Sequence, residues 1–162
     1  MRHRLRKNDI RLNLVAGTKS DVRDYFLQIK NEIGSDAVTV IYASTLHEYF
    51  QLFNSAMRTT DILWTKPSEL SFYCGLGIPI IMTPAIGSQE RFNRQWLHEI
   101  HAGMRQENPE FTDQWLFDLI HKGLIAEMAW AGFLRARKLG TQKIFEVLET
   151  GTMNNSNSPL ER

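Results

Sequence analysis

Thr60-Asp61-Ile62-Leu63-Trp64-Thr65-Lys66-Pro67-Ser68-Glu69-Leu70, continued by Gly77-Ile78-Pro79-Ile80-Ile81-Met82-Thr83-Pro84 and Gly87-Ser88-Gln89-Glu90-Arg91-Phe92-Asn93, is the stretch that decides the architecture. It reads as a buried strand, a polar turn opening a helix, a second buried strand and a second polar turn opening a helix. Two helix N-termini that follow neighbouring parallel strands stand side by side at the carboxyl edge of the sheet. Each carries backbone N–H groups without an intrahelical acceptor and the positive end of a dipole, the means by which α/β folds hold phosphate. Polar residues between strand and helix can then grip a sugar or a ribose.

The flanking sequence extends this pattern. Ile10 to Ala16 is aliphatic and ends at Gly17-Thr18, a strand entering a tight turn, with Thr18 or Ser20 available to cap the next helix. Val22, Tyr25, Phe26, Ile29 and Ile33 then recur at helical spacing, and Gly34 closes that helix. Ala37 to Ala43 reads as a second strand, apolar enough to be buried on both faces. Leu46, Tyr49, Phe50, Phe53 and Met57 mark a helix, Asp61 to Thr65 a third strand, Glu69 to Leu76 a short helix and Ile78 to Met82 a fourth strand. From Gln89 onward the chain is read as helical, with one helix ending near Ala102-Gly103, a turn at Asn108-Pro109, a cap at Thr112 or Asp113, a break at Gly123 and a last helix opened by Gly140-Thr141. Alternating strands and helices require right-handed crossovers and a parallel sheet. The expected fold is α/β, a Rossmann-like parallel sheet of about four strands with flanking helices and a helical C-terminal part. The expected organisation is a basic leader or linker remnant at 1–9, one Rossmann-like domain at 10–150 and a polar, disordered tail at 151–162.

Composition narrows the function classes. A chain of 162 residues can bury a full core, and 43% hydrophobic with 23% charged residues is ordinary for a globular protein. A formal net charge of +1 gives no general attraction to nucleic acid or to an anionic membrane. The single cysteine, Cys74, cannot form an internal disulfide, and a cytoplasmic location is expected. Cys74 lies in an apolar segment and reads as a buried, inert thiol. His98 and His101 are three apart without a third ligand at metal-binding spacing, so no metal and no cofactor is expected. Trp96, Trp115 and Trp130 fall at helical spacings and read as core.

Three turns carry the candidate chemistry. Gly17 permits close backbone approach and Thr18 offers a hydroxyl to a phosphate oxygen, although neither a Walker A run nor a dinucleotide fingerprint is present. In the second turn Pro67 suits the start of a helix and Ser68 can cap it. Lys66 emerges there from a strand that should be interior, and Glu69 is favoured by the helix dipole or accepts hydrogen bonds from sugar hydroxyls. In the third, Gly87 and Ser88 present bare amides. Gln89 and Asn93, four apart with Glu90 between them, set short polar groups above a helix start.

These residues together resemble the C-terminal, donor-binding domain of GT-B fold glycosyltransferases. The likeness is to the group containing the lipid-II-forming N-acetylglucosaminyltransferase and the diacylglycerol glucosyltransferases. It covers about residues 10 to 105 and rests on Lys66-Pro67-Ser68-Glu69-Leu70, Gly77-Ile78-Pro79-Ile80-Ile81 and the Gln89-to-Asn93 element. It implies that a nucleotide-sugar, usually UDP-linked, is the donor. Gln89, Glu90 and Asn93 would face the sugar, Gly17 and Thr18 the phosphates or the acceptor side, and Phe50 the base. The family's ribose-binding glutamate position is Phe72 here, with Glu69 one turn earlier. The resemblance further implies an N-terminal acceptor-binding half, in cis or as another chain, supplying the catalytic base and any membrane contact. Lys66 is then a phosphate stabiliser. Two other readings stand beside this one: a non-catalytic α/β interaction module, and half of a nucleotide-sugar epimerase.

Overall fold

A computed structural model describes residues 1–68, 70–138 and 140–152. The chain divides into two compact units, Met1–Thr60 and Asp61–Arg162, each with its own parallel ladder. The protein is α/β, as its alternation of strand and helix signals requires, but its strands number five among the described residues and form ladders of two and three.

The first unit opens with α1 (Arg2–Arg6), followed by β1 (Leu12–Gly17), α2 (Ser20–Ile33), β2 (Val38–Tyr42) and α3 (Leu46–Met57). The basic leader is therefore structured. Leu5 is only 2% exposed and joins Ile33, Ala37 and Val38 in a small core, while Arg6 Nε donates to the Ile33 carbonyl at 2.8 Å. Burying one leucine is worth roughly 1.5–3 kcal/mol, enough to hold a five-residue helix that has no stability of its own. Strands β1 and β2 pair in parallel, with a register shift between Val15 and Gly17 where Gly17 adopts φ +65°. That left-handed conformation favours glycine. β2 is not buried on both faces, because Thr39 is exposed. Gly34 ends α2 in the left-handed conformation, its N–H donating to the Lys30 carbonyl at 3.0 Å. Neither Thr18 nor Ser20 caps α2: Lys19 is its N-cap residue and no side chain bonds there. The cap that does form is Thr45, whose hydroxyl accepts from the Glu48 N–H at 3.3 Å to start α3.

The second unit begins with β3 (Leu63–Thr65), α4 (Leu70–Gly75), β4 (Ile80–Met82) and α5 (Ser88–Glu99). It continues with β5 (Gly103–Arg105), a 3-10 turn (Pro109–Phe111) and the helices α6 (Thr112–His121), α7 (Leu124–Arg135) and α8 (Gly140–Thr150). Its strand order is β3-β4-β5, all parallel, so β4 is central and its three residues are fully buried. Strand β5 corrects the sequence reading, which ended a helix near Ala102-Gly103 and expected only helices beyond it. The core is Leu70, Cys74, Ile80, Met82, Leu97, Ala102 and Ala136, with Trp96 packed against it. The strand at Asp61–Thr65 is less interior than its composition implies. Trp64 is exposed, donating from Nε1 to Gln106 at 2.9 Å and meeting the Trp115 ring edge-on at 5.5 Å. Trp130, expected in the core, is 64% exposed. Thr112 does not cap α6: its hydroxyl donates to the Pro109 carbonyl at 2.7 Å, and Asn108 caps the preceding 3-10 turn. Of the expected disordered tail, residues 153–162 lie outside the described residues.

Candidate functional site

The second unit places two of the three polar turns side by side. Both follow strands paired in register, Thr65 opposite Met82, so both leave the same edge of the ladder. A side chain then ties them together. Asn93, on the second turn of α5, donates from Nδ2 to the Pro67 carbonyl at 3.1 Å and to the Ser68 carbonyl at 2.9 Å. Both amide hydrogens are thereby committed, and its Oδ1 is left as an acceptor. Pro67 is fully buried and precedes α4 rather than forming its first turn, while Lys66 and Ser68 are exposed beside it. Glu69 lies outside the described residues.

The start of α5 has the groups an anion needs. Gly87 is its N-cap residue, with no side-chain cap, and the first intrahelical bond is Arg91 N–H to the Gly87 carbonyl. The N–H groups of Ser88, Gln89 and Glu90 precede that bond and so lack an intrahelical acceptor. Gly87, Ser88 and Gln89 are exposed, and a Cβ at Gly87 would meet nothing within 4 Å. The glycine thus leaves the approach open rather than relieving a clash. Glu90 turns back to accept the Ile86 N–H at 2.7 Å through Oε2, fixing the entering loop in the manner of a capping box. Helix α5 has twelve residues and α4 six, so the dipole at this edge comes mainly from α5. One residue past β4, the Thr83 N–H donates to the Thr65 carbonyl at 3.0 Å. The buried Thr83 hydroxyl has no hydrogen-bond partner among the described residues.

Gly17, Thr18 and Phe50 belong to the first unit. Gly17 ends β1, Thr18 is exposed in the turn after it, and Phe50 is an exposed residue of α3 with its ring 5.4 Å from that of Tyr49. Cys74 is fully buried, and burial pushes its thiol up to about 11, which keeps it protonated and unreactive near neutrality. His98 and His101 are exposed, and no group of three or more metal-ligating side chains occurs among the described residues. The sequence reading passed over Arg91, Arg94 and Arg105. Their charge is diluted in the near-neutral total, and only the pairing of α5 with the unrecognised β5 gathers them.

The fold and these turns define an α/β protein whose parallel ladders end in polar, helix-initiating loops. A family model described as a domain of unknown function, DUF6938, matches residues 4–131, and the chain belongs to that family. No curated protein and no solved structure matches it. Among the described residues no helix is long and apolar enough to cross a membrane.

Proposed function

We propose that the second unit binds a nucleotide-diphosphate sugar and serves as the donor-binding part of a GT-B-like glycosyltransferase. One observation carries the reading. The Asn93 amide clamps the Lys66–Ser68 turn against an α5 N-terminus whose first N–H groups lack intrahelical acceptors. A diphosphate accepts hydrogen bonds from such amides and is favoured by the dipole. The Lys66 ammonium offsets the charge that grows on the leaving diphosphate as the glycosyl bond breaks. Gln89 and the Asn93 Oδ1 supply hydrogen-bonding groups for sugar hydroxyls, while Glu90 holds the loop. The acceptor and the catalytic base are contributed by another domain or chain, because transfer needs both reactants held in line.

Titration of ¹⁵N-labelled protein with UDP and UDP-N-acetylglucosamine tests this. Saturable shifts in the amides of residues 65–68 and 86–93 are expected. Shifts confined to other residues, or none with any nucleotide-sugar, would remove the proposal.

A second reading, a non-catalytic interaction module, has support of its own. Trp130 of α7 is 64% exposed and Leu148 of α8 is 76% exposed, with Ile144 and Phe145 also exposed on α8. Large exposed apolar side chains of this kind mark contact surfaces. Loss of a binding partner on Trp130→Glu, with no response to nucleotide-sugars, would favour this reading.

A further inference from the structure

A second feature of α5 lies on its outer face, away from the Asn93 clamp. There an open groove of about 760 Å³ is lined by Arg91, Phe92, Arg94 and His98 of α5, with His101 and Arg105 from the segment that forms β5. Ser88 closes one end, and Gln95 and Glu99 complete the wall. The spacing explains the face: 88, 91, 92, 95, 98 and 99 fall together on a helix, and Leu97, on the other side, packs into the core. Strand β5 is the last in its ladder, so Arg105 rises from the sheet edge.

Charge in this groove is uncompensated. It holds three arginines against one carboxylate, Glu99, which already accepts the Gln95 amide at 2.9 Å. Among the described residues none of the three guanidinium groups meets an acidic side chain. Concentrating positive charge on one concave face costs repulsion, whereas a phosphate group can take two parallel N–H bonds from a single guanidinium. Both histidine rings can donate as well. Phe92 is 72% exposed at the same face, a large apolar ring in contact with water. Cations beside an unpartnered ring suit a ligand that is part phosphate and part organic. The groove's concavity favours a ligand that enters it over a flat surface.

We infer that this groove is a binding site for a phosphate-bearing ligand with at least two negative charges, its phosphates held by Arg91, Arg94 and Arg105 and its organic part lying on Phe92. The site goes beyond the glycosyl-donor reading. Arg94 and Arg105 lie outside the polar turns, so each proposal can fail while the other stands.

The test is calorimetric titration of the full chain with sodium pyrophosphate at low salt, with amide shifts followed in parallel. Saturable binding is expected, with shifts centred on residues 94–105. The double variant Arg94→Gln/Arg105→Gln should weaken it by at least about tenfold, the scale of lost charge-assisted hydrogen bonds. Lys122→Gln, which removes one positive charge beyond the end of α6, should leave it unchanged, and circular dichroism checks that both variants fold. Sedimentation with phosphatidic acid but not phosphatidylcholine vesicles, lost in the double variant, would assign the phosphate to a lipid headgroup. Saturable pyrophosphate binding without vesicle binding assigns it to a free metabolite. The inference is overturned by non-saturable binding, by an unaffected double variant, or by a short single-stranded oligonucleotide binding more tightly than pyrophosphate through the same residues.

Discussion

The amide of Asn93 donates to the carbonyl oxygen of Ser68 at 2.9 Å, joining residues 25 apart in sequence. With its second bond to Pro67 it makes one side chain responsible for the spacing of the two polar turns. The arrangement requires a donor. A carboxylate in its place would face two carbonyl oxygens and repel both.

Asn93→Ala should therefore destabilise the protein by about 1–2 kcal/mol, the worth of two partly exposed hydrogen bonds. Asn93→Asp should cost more than alanine despite its closer shape. Urea denaturation of the three proteins checks the order, and an aspartate variant as stable as the parent would show that the clamp does not hold the turns.

Thr83 makes the opposite case. Its hydroxyl is buried without a partner among the described residues, which leaves its desolvation uncompensated. Thr83→Val keeps the shape and removes the unpaired group, and should be neutral or stabilising by up to about 1 kcal/mol. If the loops open to let this hydroxyl meet a ligand, the same variant binds nucleotide-sugar more weakly. A melting curve together with a ligand titration separates the two effects.

Strand β5 depends on the absence of a side chain at Gly103. A Cβ there would stand 2.6 Å from the Ile80 carbonyl oxygen and would collide with Leu97. One neighbour is backbone of the central strand, which cannot step aside. Gly103→Ala should cost about 1–3 kcal/mol by overpacking. Leu97→Ala in the same chain should recover only part of that, since the Ile80 contact persists. A double-mutant cycle in urea gives the coupling, and simple additivity would refute the packing account.

What could be read from the sequence follows from how local each signal is. Gly34 as a helix stop and the apolar run at Ile80-Ile81-Met82 as a buried strand depend on a few adjacent residues, and both stand in the structure. The start of α5 at Gly87-Ser88 was legible for the same reason. Thr45-Leu46-His47-Glu48 has the Ser/Thr-x-x-Glu spacing of a helix start and could have been found. Strand β5 could not, because Gly103-Met104-Arg105 is short, begins with glycine and ends with a charge; only pairing with β4 makes it a strand. The leader misled because five of its first seven residues are basic, counting His3, which hid the one leucine that docks. In the candidate site, helix-start chemistry was visible, but the Asn93 clamp and the arginine groove join segments that sequence keeps apart.

Helix α3 gives a local test in the first unit. The Thr45 hydroxyl accepts the Glu48 N–H at 3.3 Å, filling one of the bonds a helix start leaves open. Thr45→Ala should lower stability by about 1 kcal/mol and Thr45→Ser or Thr45→Asp by less. Hydrogen exchange at the first turn of α3 should quicken in the alanine variant alone.

Cys74 links burial to pH. Its thiol sits fully buried in the second unit's core, and desolvation raises it from 9.0 to about 11. The unfolded chain therefore releases this proton before the folded chain does. Below pH 9 both states are protonated and the group has no effect on the pH dependence. As pH rises from there toward 11 the unfolded state is favoured, and stability falls by on the order of 2 kcal/mol before levelling off. Tyrosine ionisation acts over the same range, so the informative quantity is the difference between the parent and Cys74→Ala. That variant should be less stable at pH 8 through the small cavity it leaves, with the gap narrowing at pH 10.5. The native protein should also resist a thiol reagent at pH 8 until urea unfolds it. Rapid labelling without denaturant, or a gap that does not change with pH, would mean that the thiol reaches water and that the packing of Cys74 among Leu70, Ile80 and Leu97 is looser than it stands here.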